Sequence, residues 1–430
     1  MNRREIISTL SAGLIAGPAA IGRAIEHLNT FASDASPDEL ARDEDFWFSV
    51  QQAYEVDRTI INLNNGGVAP APRSVMDSFF RFTEQANQIP SYEMWRHQEP
   101  HIETVRAGLA SMFGCDSEEI AITRNASEAL ETAQLGIPME AGDEVVISTQ
   151  DYPRMLTTWD QRARRDGIVI KRISFDVPVT DPASIVRAYE AAITPRTRVL
   201  HCSQVVFLTG QIMPVAALCD LARRYNLISI VDGAHAFAQI PSSQRAIGCD
   251  VYGSSLHKWL SGPIGTGMLF VRKDLIPRIW SLMASPPDME SNIRKYEEIG
   301  THSAAMHNAL SDAITFTQAI GVERKAARLR YLHSLWIDAV RNADTVTFNT
   351  NIADPSNQCG LVNVHIKGTD PVKVSDWLLS KHRIFTVAIT HEQFNGVRIT
   401  PNVYTTFDEM RRFASVMQLA ASGTVDEIKA

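Results

Sequence analysis

The sequence predicts an α/β protein: a large domain with a mostly parallel sheet covered by helices, plus a small C-terminal α+β domain. Three observations predict it. From Ile60 to Val271, short apolar runs alternate with longer amphipathic segments, the pattern of strands joined by crossover helices. The loop Ser285-Pro286-Pro287 then breaks the alternation, and a long helical stretch followed by short strand-like runs takes over. At 430 residues the chain also exceeds one ordinary core, at roughly 150 residues per domain.

In chain order, the expected strands of the large domain are Ile120–Thr123, Val145–Ser148, Val169–Ile173, Val199–Cys202, Ile228–Val231 and Met268–Val271. All but Val169–Ile173, which includes Lys171 and Arg172, are short, mostly apolar runs of the kind that strands buried on both faces require. Between them, Glu128–Leu135, Thr157–Arg165, Ile185–Ala192 and Val215–Tyr225 read as helices. The second region carries a helical stretch from about Ser303 to Ala343. Strand-like runs follow at Leu361–Ile366, Ile384–Val387 and Val397–Ile399, with helices at Pro371–Ser380 and Phe407–Leu419. The expected division is an N-terminus over 1–35, a helical segment over 36–59, the large domain over 60–290 and the small domain over 291–430. Ligands of such sheets sit beyond the carboxyl ends of the strands. That rule points to Thr123-Arg124, Thr149 to Tyr152, Gln204 to Gly210, and Asp232.

Composition excludes several classes. Hydrophobic residues at 45% and charged residues at 21% suit a globular protein that buries a full core. A net charge of -8, with no sustained stripe of Lys and Arg, argues against nucleic acid as a partner. The five cysteines, Cys115, Cys202, Cys219, Cys249 and Cys359, are scattered and form no CxxC pair, so neither a disulfide framework nor a zinc site is expected. His97 and His101 are four apart, but Pro100 intervenes and no acidic ligand motif follows. No metal is expected.

At the amino terminus Arg3-Arg4 precede a small-residue-rich apolar stretch, Ile6 to Ala20, too short to span a bilayer. The run Asn2 to Ser8 resembles a twin-arginine export signal, with Ile where that pattern prefers Phe and Leu. Ala16 to Ala20, or Ala32 to Ala35, offer small residues for cleavage. The expectation is a periplasmic protein without stable membrane insertion; the alternative is an amphipathic N-terminal helix on a cytoplasmic enzyme.

The segment Tyr252-Gly253-Ser254-Ser255-Leu256-His257-Lys258-Trp259 carries the most chemical information. A lysine among hydroxyls, His and glycines attacks carbonyls if burial or a neighbouring cation keeps its amine neutral. On its own, a loop lysine is ordinarily a solvated charge. Asp232 ends the apolar strand Leu227 to Val231, where a carboxylate suits a protonated pyridine nitrogen of a cofactor used as an electron sink. The plainer reading of Asp232 is a turn residue ahead of Gly233.

Val231-Asp232-Gly233-Ala234-His235 followed by Ser255-Leu256-His257-Lys258 resembles the class V aminotransferase family of fold-type I pyridoxal-phosphate (PLP) enzymes. The likeness runs from about Ile60 to Tyr404, with separated motifs in the right order. Within the family the chain is similar to the isopenicillin N epimerase-like branch, whose Asn-Gly-Gly motif appears as Leu63-Asn64-Asn65-Gly66-Gly67.

The resemblance implies pyridoxal 5'-phosphate as cofactor, Lys258 as its Schiff-base lysine, Asp232 as partner of the pyridine nitrogen and His235 as a contact to the phenolic oxygen. Asn125-Ala126-Ser127-Glu128 resembles the family's phosphate turn. A strand end that opens a helix there brings backbone N–H groups of Ala126 and Ser127, and the Ser127 hydroxyl, to a dianion; a plain helix cap is the alternative. Ser255 and His257 would add donors to the phosphate. Tyr152 falls where the family stacks an aromatic ring on the cofactor, a place where many relatives use His, and it is the candidate acid for an opposite-face proton step. Thr301 matches a residue that reaches the neighbouring subunit's phosphate, which implies a homodimer with shared active sites; a helix cap is the alternative. Arg398 matches the arginine that grips the substrate carboxylate, for which its planar fork is suited, and Asn65 of the Asn-Gly-Gly motif is the second expected substrate contact. The other reading of Arg398 is an exposed strand arginine.

Two departures bear on the reaction. Gln204 to Gly210 lacks the Asn that several relatives place near the phenolic oxygen. Thr386 to Val397 contains no cysteine, which disfavours desulfurase chemistry. The expected activity is amino-group transfer or related tailoring of an amino acid or peptide-like substrate, similar to periplasmic enzymes that modify siderophore side chains. Epimerisation is the runner-up, with a lyase or a PLP-binding protein without turnover further behind.

Overall fold

The structure, a computed structural model, describes residues 35–430. The expected export signal therefore lies outside the described residues, except for its last residue. After a single helical turn at Pro37–Leu40, helix α1 (Glu44–Gln51) is capped by Asp43, whose carboxylate accepts from the N–H groups of Asp45 and Phe46. Trp47 of α1 is fully buried beneath the Arg328 guanidinium, so this segment is bound to the body of the protein. Strand β1 (Ile61–Asn62) follows, then α2 (Arg73–Gln88) and α3 (Glu99–Phe113), whose end is set by Gly114 in the left-handed region at φ 74°.

The large sheet is built from β2 (Ile120–Thr123), β3 (Glu144–Ser148), β4 (Val169–Ile173), β5 (Thr197–Ser203), β6 (Ile228–Asp232), β7 (Val251–Ser255) and β8 (Gly267–Val271). Its seven strands lie in the order β2-β8-β7-β6-β5-β3-β4. The crossovers are α4 (Ala126–Gly136), α5 (Pro153–Asp166), α6 (Pro182–Ala192) and α7 (Val215–Arg224). Strands β3 to β7 run parallel, and β8 is antiparallel to both its neighbours. Every residue of β2, β3, β7 and β8 is buried, the mark of a sheet covered on both faces, whereas β4 at the edge has none buried. The mostly parallel sheet expected from the sequence is thus present, with a seventh strand, β7, at the segment that leads to Lys258.

The stretch from 303 to 343 is not one helix. It divides into a short turn of helix, then α8 (Leu310–Ile320) and α9 (Val322–Val340), separated by Gly321 at φ 85°. Beyond it the small sheet is built from β9 (Val346–Phe348), β10 (Val362–Ile366), β12 (Val387–Thr390) and β13 (Asn395–Ile399), in the order β12-β13-β10-β9. Helices α10 (Pro371–His382) and α11 (Phe407–Ala421) pack on it, giving the small α+β domain. The expected strand Ile384–Val387 divides between two sheets, because β11 (Ile384–Phe385) leaves to pair in parallel with β1. Ile61 and Leu63 accordingly pack in the core of the small domain, so the chain crosses between domains just before the Asn-Gly-Gly segment.

Candidate active site

Two strand connections that leave in opposite directions create a crevice at the carboxyl end of a parallel sheet. Here β3 connects outward to β4 while β5 connects the other way to β6, so the crevice opens between β3 and β5. Tyr152 follows β3, Gln204 follows β5, and Asp232 ends β6 one strand further on. Lys258 lies three residues beyond β7, on a turn held by hydrogen bonds from Leu256 N–H to Thr266 O and from Gly262 N–H to Leu256 O, both 2.9 Å. Three of the regions expected from the strand ends, together with Lys258, therefore border one crevice.

Burial pulls the Lys258 ammonium down to about 8, against the Asp232 carboxylate, which holds it up. Its Nζ lies 3.3 Å from His235 Nε2. An ammonium only donates, so that contact places the histidine proton on Nδ1, an atom that is buried without a partner. Burial also pushes the Asp232 carboxyl up to about 6. Its carboxylate accepts from Ala234 N–H at 2.9 Å, and among the described residues no lysine or arginine forms an ion pair with it.

At the opening of α4, Asn125 caps the helix by accepting from Glu128 N–H at 2.9 Å, and Ala126 N–H donates to Ser255 Oγ at 3.0 Å. Gly267 of β8 makes this approach possible, since a Cβ there would sit 2.6 Å from the Asn125 backbone. The Ser127 hydroxyl is half-buried and forms no hydrogen bond within the described residues. His257 Nδ1 lies 3.0 Å from Thr266 O and must donate to it, so its Nε2 donates to an anion only as imidazolium.

Arg398, on β13, is 6% exposed. Its guanidinium donates to Phe207 O at 2.9 Å and Asn64 Oδ1 at 3.0 Å, while Nε is buried without a partner. Burial lowers its pKa to about 10, which leaves it cationic at neutral pH, yet no carboxylate among the described residues pairs with it. Gly66 brings the two halves together: a Cβ there would lie 3.4 Å from the His235 ring and 3.5 Å from the Arg398 guanidinium. Tyr152 stands edge-on to Phe207, with centroids 5.3 Å apart, and is 39% exposed.

One expected substrate contact, Asn65, is used within its own loop. The Asn65 side chain is fully buried: its amide N–H groups donate to Asn62 O and Thr400 O, and its Oδ1 accepts from Tyr404 O–H at 2.6 Å. With both ends used internally, Asn65 shapes the loop, and Asn64 meets Arg398. The alternation of side chains along an extended segment is the one sequence signal for this exchange. Thr301 is on an exposed turn after Gly300 and forms no hydrogen bond within the described residues. Asn64 and Phe207 escape sequence reasoning because each acts through a partner distant in the chain.

The donor set fits pyridoxal 5'-phosphate. A buried carboxylate that forms no ion pair among the described residues suits a pyridinium N–H, the unpartnered His235 Nδ1–H suits a phenolate oxygen, and the α4 terminus with Ser127 and Ser255 suits a phosphate. Among the described residues, no group of three or more His, Cys, Asp or Glu could hold a metal, and no helix is long and apolar enough to cross a membrane.

The family model described as Aminotransferase class-V matches residues 61–391. The chain is 29% identical over 390 residues to the isopenicillin N epimerase of Streptomyces clavuligerus, across 86% of this chain and 97% of that protein. To the isopenicillin N epimerase of Amycolatopsis lactamdurans it is 30% identical over 396 residues, across 86% and 98%. The solved cysteine desulfurase CsdA of Escherichia coli is similar in fold, with a TM-score of 0.76 at 19% identity, across 88% of this chain and 99% of that one.

Proposed function

Because the chain belongs to the aminotransferase class-V family of PLP-dependent enzymes, we propose that it transfers the amino group of an amino acid or peptide-like substrate, or tailors it at the same carbon. The observation that carries this reading is one crevice bordered by a part-buried lysine, Lys258, and a buried guanidinium, Arg398, with which no carboxylate among the described residues pairs. Arg398 is placed to take the substrate carboxylate, with Asn64 and the Phe207 carbonyl fixing its plane. When bound, the cofactor supplies the carbonyl that joins the substrate amine and a ring that takes up the electrons left by the departing alpha proton. Lys258 moves that proton, its pKa near 8 suiting it to both roles near neutral pH. His235 holds Lys258 from one side and Asp232 keeps the ring nitrogen protonated. One base on one face is enough for amino transfer.

Epimerisation is the second reading, favoured by likeness to two isopenicillin N epimerases over nearly their full length. It requires a second proton donor, for which the Tyr152 phenol at the mouth is the candidate. Sulfur abstraction from cysteine is disfavoured by the thiols themselves. Burial pushes Cys115, Cys202, Cys219, Cys249 and Cys359 all above the ordinary thiol range, which keeps each of them protonated. Holoenzyme incubated in deuterium oxide with a panel of amino acids separates the readings. Keto acid release with a matching change in the cofactor's visible absorbance supports transfer. Deuterium at the alpha carbon without keto acid supports epimerisation, and neither product with any substrate sinks both.

Arg398→Lys is expected to raise KM about 10- to 100-fold with a smaller change in kcat, since a point charge replaces a bidentate fork. An unchanged KM for carboxylate substrates would remove Arg398 from this role. A homodimer with shared sites belongs to the same proposal, supported by the exposed Thr301, which forms no hydrogen bond among the described residues. Export to the periplasm by the twin-arginine route is likewise proposed, on the run Asn2 to Ser8 and the apolar, small-residue-rich stretch Ile6 to Ala20.

A further inference from the structure

Asp151 takes no part in the chemistry above, yet it occupies the floor of the crevice. The paired register of β3 and β5 ends at Val146 and Leu200, and beyond it Asp151 spans the two strands. Its Oδ2 accepts from Ser148 N–H at 2.9 Å and Ser148 O–H at 2.8 Å; its Oδ1 accepts from Ser203 N–H at 2.8 Å and Ser203 O–H at 2.6 Å. The group is 2% exposed. Four donors converge on its two oxygens, so the geometry is that of a carboxylate acting as acceptor only. Ser203 is in turn the register partner of Asp232 on the adjacent strand, so two carboxylates flank one serine.

We propose that Asp151 is a positioning residue that, as a second buried anion beside Ser203, strengthens the grip of Asp232 on the proton of the cofactor's ring nitrogen. The groups around the pair leave that charge uncancelled. Tyr189, Cys202 and Tyr252 are raised well above their ordinary values by burial, and His201 is lowered to about 4, so all four are neutral at pH 7. Lys258 is the cation that faces Asp232, and Asp151 acts on Asp232 in the opposite sense. Among the described residues, no arginine or lysine forms an ion pair with Asp151. A four-point clamp built from serines and backbone N–H groups fixes an anion there without neutralising it.

The inference rests on PLP as the cofactor, and its test separates the two. Holoenzyme loaded with cofactor labelled with nitrogen-15 at the ring nitrogen is titrated by NMR. In Asp151→Asn the ring nitrogen is expected to lose its proton on the order of one pH unit below the wild type, from loss of a nearby charge in a poorly solvated site. The Ser148→Ala, Ser203→Ala double variant loosens the clamp but keeps the anion, and its midpoint should stay at the wild-type value. An unmoved midpoint in Asp151→Asn, or an equal shift in the serine variant, overturns the proposal. If Asp151→Asn takes up no cofactor, Asp151→Glu decides: retained cofactor with the wild-type midpoint supports the role of charge, and loss of cofactor there too overturns it. Absence of any bound ring-nitrogen signal in the wild type would instead overturn the cofactor assignment.

Discussion

Lys258→Ala is expected to lower turnover by about 10⁴-fold or more while leaving the fold intact. Two functions leave together, the covalent hold on the cofactor and the proton shuttle, and the shuttle alone is worth about 10²- to 10⁴-fold. Folding should survive, because the side chain contributes a part-buried charge whose contacts are one histidine nitrogen and the field of Asp232. The sign of the stability effect follows from the lowered pKa. Between about 8 in the folded enzyme and 10.5 in the unfolded chain, the unfolded state holds more protons, so apo wild type gains stability as pH rises through that window. The penalty present below pH 8 amounts to about 3 kcal/mol at 1.36 kcal/mol per unit. Alanine has nothing to titrate, so the variant's apo stability should lack that rise. Steady-state kinetics and chemical denaturation of the apo forms at pH 7 and 10 measure both effects. Turnover within about tenfold of wild type would remove Lys258 from the chemistry.

Much of this is legible in the amino-acid sequence. The six expected strands are all present: five are short, mostly apolar runs, as burial on both faces demands, and β4, with Lys171 and Arg172, lies at the edge. β7 is harder to read: Val251-Tyr252-Gly253-Ser254-Ser255 mixes glycine and serines into a fully buried strand. Those small residues serve packing, since a Cβ on Gly253 would collide with Leu130 of α4. The motifs around Asp232 and Lys258 are visible because their elements are consecutive and their chemistry is local. What stays hidden depends on contacts across the fold. Asn64 and Asn65 are indistinguishable as a pair in sequence, and only the small domain, through Arg398 on one and Thr400 with Tyr404 on the other, assigns them different work. Asp151 is, in sequence, only a neighbour of Tyr152, and its bridge to Ser203 spans 52 residues.

Asp232→Asn should separate function from stability in opposite directions. The carboxamide keeps an oxygen for Ala234 N–H but carries no charge, so the ring proton loses its counter-ion and turnover should fall by about 10²- to 10³-fold. The apo variant should nonetheless be the more stable one. In the wild type the folded pKa, about 6, exceeds the ordinary aspartate value of 3.8, so the folded state holds its proton longer and loses stability as pH rises from about 4 to 6. Above pH 6 the full penalty of burying this anion is present, and its removal is worth about 3 kcal/mol at 1.36 kcal/mol per unit, less whatever the new N–H groups cost when unpaired. Thermal unfolding of apo wild type and apo Asp232→Asn should therefore coincide near pH 4 and diverge by several degrees at pH 7.5, the variant melting higher. Adding pyridoxal 5'-phosphate should reverse the order, because only the wild-type carboxylate gains a cationic partner from it. A wild-type apo enzyme that melts above the variant at pH 7.5 would mean that another group already pairs with Asp232, and the fit of this pocket to a protonated pyridine would lose its main physical support.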